Sequence, residues 1–140
     1  MTSFLQPLLR DGTDQQHIIN ARSGKVIADR LLTAFDSRSR RKGLLAQALL
    51  SPSTALIIAP TNAIHTFFMK FPIDIVFVSK GGRVLKIRSS VPAWRMTASL
   101  RAFAVLEMAA GSLDGSTRVG DQLVVSSDHA KPFSERMISI

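Results

Sequence analysis

Four polar residues within or beside apolar stretches are the main candidates for chemistry in this sequence: His65, Lys70, Asp74 and Glu107. Glu107 lies in the segment FAVLEMAAG, where a charged carboxylate is costly unless it is paired or hydrogen-bonded. We therefore expect Glu107 to be largely buried and bound by a basic side chain or by backbone donors. The structural interpretation is a buried strut, and the functional alternative is a catalytic acid or base.

His65, Lys70 and Asp74 lie close together in the sequence and could share one rim of a pocket. In an extended chain, residues 70 and 74 fall on the same face, and Pro72 between them favours a bend. Histidine is the side chain suited to proton transfer at neutral pH. The competing interpretation needs no pocket: Asp74 caps a turn, Lys70 is a solvated charge and His65 is an ordinary strand residue.

A basic cluster lies in the first turns of a predicted helix and comprises Arg38, Arg40, Arg41 and Lys42. Cations are disfavoured at a helix start, where the macrodipole is positive, and such a departure from a local rule sometimes indicates an anion-binding site. The cluster is thus a candidate site for phosphate, sulfate or a nucleic-acid backbone. The alternative is a solvated run of charges.

Several classes of chemistry are excluded or disfavoured by what the sequence lacks. There is no cysteine, so disulfides, thiolate metal sites and a cysteine nucleophile are excluded. The three histidines have no metal-binding spacing, and neither a G-x-S-x-G elbow nor a phosphate-binding glycine loop is present. We therefore expect no metal and no cofactor. Tyrosine is absent, and Phe67, Phe68 and Phe71 are more typical of a core than of a base-stacking surface.

The elements that must position these residues are mostly short strands. Turn signals at residues 22–24 and 79–82 predict hairpins, and the alternation in Ile73–Val78 is apolar on both faces, as in a covered central strand. One helix is predicted between about Ser37 and Leu50, before Pro52. The pattern predicts a mainly β fold: a two-layer antiparallel β-sandwich with one short helix, or a partly closed barrel.

Length and charge indicate one compact, basic domain. The chain has 140 residues, a mean hydropathy of +0.18 and a net charge of +8, so it can bury a core while its outer field attracts anions. We expect a single domain over residues 1–140, with residues 1–15 and 129–140 peripheral. No apolar run approaches the ~20 residues of a membrane span, and no secretory signal is recognisable. A cytoplasmic protein without a membrane span is the resulting expectation.

The run IHTFFMKFPIDIVFVSKGGRVLKI, followed by VLEMAAG and VGDQLVV, resembles a small bacterial and archaeal family, domain of unknown function 192. The upstream SRSRRKGLL resembles the family's helix segment, so the resemblance extends over roughly residues 20–126. It implies a jelly-roll-like β-sandwich with a short helix and no established activity. The positions that match the family motif are Gly43, Leu44, Met69, Lys70, Pro72, Asp74, Phe77, Glu107, Gly111, Gly120 and Asp121.

Three function classes follow from these observations. The first is a binding module for a small polar or anionic ligand near His65, Lys70, Asp74 and Glu107. The second is a nucleic-acid-associated protein, or a binder of another polyanion, that uses its basic surface without reading sequence. The third is a hydrolase or isomerase with Glu107 or Asp74 as its acid or base. The sequence does not indicate an oligomeric state.

Overall fold

The computed structural model describes residues 2–34, 51–67 and 69–127. These residues form one helix and ten strands. The helix is α1 (Gln6–Asp11), and the strands are β1 (Gln16–Asn20), β2 (Val26–Ala28), β3 (Arg30–Ala34), β4 (Thr54–Ile58), β5 (Ala63–His65), β6 (Ile73–Val78), β7 (Val84–Val91), β8 (Met96–Ala98), β9 (Ala104–Ala109) and β10 (Leu123–Ser127). The predicted helix at 37–50, the basic cluster and the tail from residue 128 lie outside the described residues.

The strands form three sheets of different size. The large sheet has the order β3-β4-β9-β6-β7, the small sheet has the order β10-β1-β2, and β5 and β8 form a separate two-stranded ribbon. The mainly β, sandwich-like fold that the sequence predicts is confirmed. Both predicted hairpins are also present, β1–β2 around residues 22–24 and β6–β7 around residues 79–82.

One strand pair departs from the antiparallel pattern. β3 and β4 run parallel in continuous register, whereas the other pairs within the described residues are antiparallel. Parallel neighbours require a crossover connection. β3 and β4 are therefore not joined as a simple hairpin.

The two faces of the large sheet pack into two separate cores. The first core lies on the face where Val76 and Leu106 pack with Ile18 and Leu123 of the small sheet. The second core lies on the opposite face, where Ile75 and Phe77, at the alternate positions of β6, pack with Ile64 of the ribbon. β6 is buried along its whole length. Burial on both faces is what the two-sided apolar pattern of this strand predicts.

The amino-terminal residues, expected from the sequence to be peripheral, contribute side chains to the first core. Leu5, just before α1, and Leu8, on α1, are both buried in this core. The backbone N–H of Phe4 also donates to the carbonyl of Lys80 at 2.8 Å. The amino-terminal segment therefore packs onto the first core, and α1 contacts β10.

Candidate functional site

Thr66 links two loops at one end of the β5–β8 ribbon. Its buried hydroxyl donates to the carbonyl of Pro92 at 2.7 Å and accepts from the backbone N–H of Arg95 at 3.0 Å. Its own backbone N–H donates to the carbonyl of Arg95, and its carbonyl accepts from the N–H of Trp94. The segment that follows β5 and the segment that precedes β8 are thereby held together.

This linkage brings together an aromatic cluster of His65, Phe67 and Trp94. The Phe67 and Trp94 rings are stacked, with centroids 5.5 Å apart and planes 26° apart, and His65 lies 4.7 Å from Phe67. The N–H of Phe67 also donates to Nδ1 of His65 at 3.4 Å. The three rings thus form a continuous group on one end of the ribbon.

Trp94 is unusual in both exposure and backbone conformation. Its side chain is 68% exposed, although Phe67 covers part of it. Its φ of +65° lies in the left-handed region, which bulky residues rarely adopt. Such a conformation persists only where the surroundings impose it, and it is frequent at ligand-binding positions. Here the hydrogen bonds of Thr66 supply the constraint and present the indole ring to solvent.

The outward face of the ribbon extends from the aromatic cluster toward Leu100. Met96 pairs with His65 across the ribbon, and Ala98 pairs with Ala63, so these four side chains share one face. Met96 is 75% exposed and Leu100 is 88% exposed. Together with Trp94, they place three exposed large apolar side chains within seven residues of sequence. Solitary exposed apolar residues are ordinary, but a group of this kind indicates an interaction surface.

Cations flank this face, and the surrounding sequence contains no acid. Residues 75–106 include six Lys or Arg and no Asp or Glu. Arg95 adjoins Trp94, Arg101 adjoins Leu100, and Nζ of Lys86 donates to the carbonyl of Ala98 at 2.8 Å. Lys70 is exposed a few residues beyond the aromatic cluster. We call the ribbon face, its aromatic cluster and these four cations the ribbon surface.

Asp74 lies elsewhere and has a structural role. The side chain is 2% exposed; one oxygen accepts from the N–H of Ser90 at 2.9 Å, and the other accepts from Gly111 at 3.0 Å and Leu113 at 3.3 Å. Asp74 thus caps the turn after β9 and fixes a residue of β7. Turn capping was one of the two roles expected for it. With three donors already bound, this carboxylate is poorly placed to abstract a proton from a substrate.

Glu107 is buried, as expected, but on the opposite face from Asp74. It is 7% exposed, and its cross-strand partner on β6 is Ile75, whereas Asp74 pairs with Met108. Adjacent residues of a strand point to opposite sides of the sheet. One pocket therefore cannot contain both carboxylates. The four residues singled out in the sequence therefore separate. His65 lies on the ribbon, Lys70 is exposed a few residues later in the chain, Asp74 faces the first core and Glu107 faces the second.

A second polar network lies at one end of the small sheet, where β1 ends and β10 begins. Asp121 accepts from Nε of Arg22 at 2.7 Å, from Nδ2 of Asn20 at 2.8 Å and from the N–H of Arg118 at 2.8 Å. The Arg22 side chain, followed by Asn20, holds the pKa of Asp121 well below its ordinary value. The hydrogen bond that Arg22 donates to Asp121 in turn raises the pKa of Arg22. Asp121, one of the positions that match the family motif, therefore has a structural role.

The remaining sequence-based predictions concern an anion site and metal ligands. The anion site at Arg38, Arg40, Arg41 and Lys42 lies outside the described residues and stays a prediction. Within residues 2–34, 51–67 and 69–127, no three His, Asp or Glu side chains lie close enough to hold a metal ion.

The described residues thus define a small, mainly β domain with one exposed aromatic and basic end. Residues 18–125 match the family described as an uncharacterised ancient conserved region, domain of unknown function 192, and the chain belongs to that family. No match was found among curated proteins. In the described part of the chain, no helix is long and apolar enough to cross a membrane.

Two solved structures share the fold. One is a protein from Sinorhizobium meliloti 1021 that has been suggested to be a transcription regulator; it is 21% identical, with a TM-score of 0.63 over 77% of this chain and 89% of that one. The other is a protein of unknown function from Novosphingobium aromaticivorans DSM 12444, 22% identical, with a TM-score of 0.62 over 77% of this chain and 81% of that one. At this identity, the likeness concerns the fold alone.

The aromatic cluster was missed by reasoning from the sequence. Phe67 was assigned to the core, and the sole tryptophan was given no role, because the two lie far apart in the chain. A usable signal was nonetheless present: Trp94 stands between Pro92 and Arg95 in a stretch with little strand pattern. An aromatic residue in a loop beside a cation is a candidate for an exposed contact.

Proposed function

We propose that the protein is a binding module for an anionic ligand that contains a planar ring, and that the ligand binds at the aromatic cluster. The observation that supports this most directly is the exposed Trp94 ring, stacked on Phe67 and held in a left-handed backbone conformation beside Arg95. A planar ligand can stack on the open indole surface, and nearby cations can neutralise its charge.

The proposal retains His65 and Lys70 from the sequence-based prediction. His65 contacts Phe67 and faces outward with Met96, and Lys70 is exposed nearby in the chain. Both can donate hydrogen bonds to an anionic group, Lys70 through its ammonium group and His65 through Nε2, because Nδ1 of His65 accepts from the N–H of Phe67. Asp74 and Glu107 are not part of the proposed site, because each is buried in a different core.

The fluorescence of Trp94 tests the proposal, because it is the only tryptophan in the chain. Adenosine monophosphate should change this emission in a saturable way, since its base can stack on the indole. Inorganic phosphate and uncharged adenosine should each bind more weakly, because each provides only half of the interaction. Arg95→Gln should weaken binding of adenosine monophosphate, whereas Arg10→Gln, on α1, should not. The absence of any saturable change with the nucleotide would refute the proposal.

A further inference from the structure

The ribbon surface is larger than a single nucleotide requires. Its outward face begins at Trp94 and continues through Met96 and Ala98 toward Arg101. At about 3.3 Å per residue, the extended part from 95 to 99 alone spans on the order of 13 Å. Alanines at positions 63 and 98 leave the middle of this face low, so an extended ligand could lie across it without a steric barrier.

The charge around this face favours a polyanion. Arg95 lies toward one end, Lys86 donates to Ala98 beside the middle, and Arg101 follows Leu100 at the other end, with no acidic residue in 75–106 to oppose them. Lys70 adds an exposed cation three residues after Phe67 in the chain. Cations distributed along a path suit a chain of phosphates better than one phosphate. Among polyanions, an unpaired strand alone offers base faces that can stack on exposed aromatic rings.

We infer that the ribbon surface binds single-stranded nucleic acid without sequence preference, a conclusion that rests on the function proposed above. A base stacks on Trp94, while the backbone follows the outward face and its phosphates contact Arg95, Arg101 and Lys70. Duplexes are disfavoured, because their bases are already stacked and their edges do not present a flat face to the indole. An anionic membrane is also disfavoured, because Trp94 and Leu100 lie at opposite ends of β8 and not at one protruding tip.

Fluorescence anisotropy with a labelled single strand of about twelve nucleotides tests the inference. Trp94→Ala should weaken binding by about tenfold, the effect expected for loss of one stacked base, and Trp94→Phe should restore most of the affinity. Leu9→Ala is the matched control, since Leu9 is an exposed apolar residue on α1, away from the ribbon. Urea unfolding confirms that each variant is folded. An unchanged affinity of Trp94→Ala would overturn the inference.

Salt dependence gives a second, independent measurement. Three phosphate contacts predict a slope of log affinity against log salt of about −2, at roughly −0.7 per contact for a single strand. Replacing both Arg95 and Arg101 by Gln should make the slope shallower by about 1.4. Replacing both Arg10 and Arg118 by Gln removes the same charge and should leave the slope unchanged. Equal effects of the two double variants would overturn the inference, because binding would then follow net charge alone.

Three competitors separate this inference from the function on which it rests. If adenosine monophosphate binds as tightly as the oligonucleotide, the site takes single nucleotides: the proposed function stands and the strand inference fails. If a duplex of the same sequence, or vesicles containing an anionic phospholipid, bind more tightly than the single strand, the strand inference also fails. If neither the mononucleotide nor the single strand binds, both proposals fail.

Discussion

The strongest prediction about stability concerns the carboxylate of Asp74. This side chain is 2% exposed and accepts hydrogen bonds from three backbone N–H groups, one on β7 and two in the turn after β9. Asp74→Asn keeps only one acceptor oxygen, and the new NH2 group must face one set of donors. Either Ser90 loses its acceptor, or Gly111 and Leu113 both do.

The cost can be worked from the donors that lose a partner. The N–H of Leu113 is buried, and an unsatisfied buried donor costs about 1–3 kcal/mol. The N–H groups of Ser90 and Gly111 are only partly buried, so water can replace part of a bond to a carboxylate that is worth about 1.5–3 kcal/mol. We expect Asp74→Asn to lower the free energy of unfolding by about 3 kcal/mol, and Asp74→Ala by at least as much.

Urea unfolding followed by circular dichroism measures this loss. With a slope of about 2 kcal/mol per molar urea, the midpoint should fall by about 1.5 M. Asp14→Asn is the matched control, because Asp14 is exposed, and its midpoint should stay close to that of the wild type. If Asp74→Asn is as stable as the wild type, or more stable, the carboxylate does not hold β7 and the turn after β9 together. A catalytic or ligand-binding role for it would then regain support.

Three further predictions concern other parts of the fold. The folded-state pKa of Asp121 lies below its ordinary value of 3.8, so the ionised carboxylate stabilises the fold above pH 3.8, and this stabilisation is lost as the pH falls toward the folded-state pKa. Asp121→Asn should therefore be less stable than the wild type near neutral pH. The difference between their urea midpoints should narrow in acid, and a difference that stays constant with pH would contradict this. Gly82→Ala would place a Cβ 2.5 Å from the carbonyl oxygen of Leu123 and 2.6 Å from Nε2 of Gln122. It should therefore lower the stability by more than the ~1–2 kcal/mol expected for Gly24→Ala, where the backbone is also left-handed but the space is open. Equal decreases in melting temperature for the two variants would show that the turn relaxes around the new methyl group. Thr66→Val should lower the free energy of unfolding by about 2 kcal/mol, because the N–H of Arg95 loses its acceptor. It should also shift the fluorescence emission of Trp94, and an unchanged emission spectrum would mean that Thr66 does not position the indole.

The elements with local signals could be predicted from the sequence. Gly24 lies at φ +74° in the turn between β1 and β2, where a turn signal precedes an apolar run. The two-sided apolar pattern of Ile73–Val78 predicted a covered strand, and the isolated carboxylate of Glu107 predicted burial. In each case a few neighbouring residues determine the outcome.

Long-range pairings could not be predicted. Arg22 and Asp121 lie 99 residues apart in the chain, and no local pattern shows that they meet. The same limitation applies to the stacking of Phe67 on Trp94, which depends on the hydrogen bonds of Thr66 between two loops. The parallel pairing of β3 and β4 was also missed, because strand direction depends on the path of the connection and not on the strand residues.

The pairing of β1 with β10 has a consequence for how the chain folds during synthesis. Among the strands of the described residues β1 is the first and β10 is the last, yet they are neighbours in the small sheet, from Gln16 with Ser127 to Asn20 with Leu123. The β1–β2 hairpin can form early, but it cannot complete its sheet until residues 123–127 have left the ribosome. Until then, the face of the large sheet around Val76 and Leu106 lacks part of its cover. Chains released before β10 should therefore be prone to aggregation or to capture by chaperones.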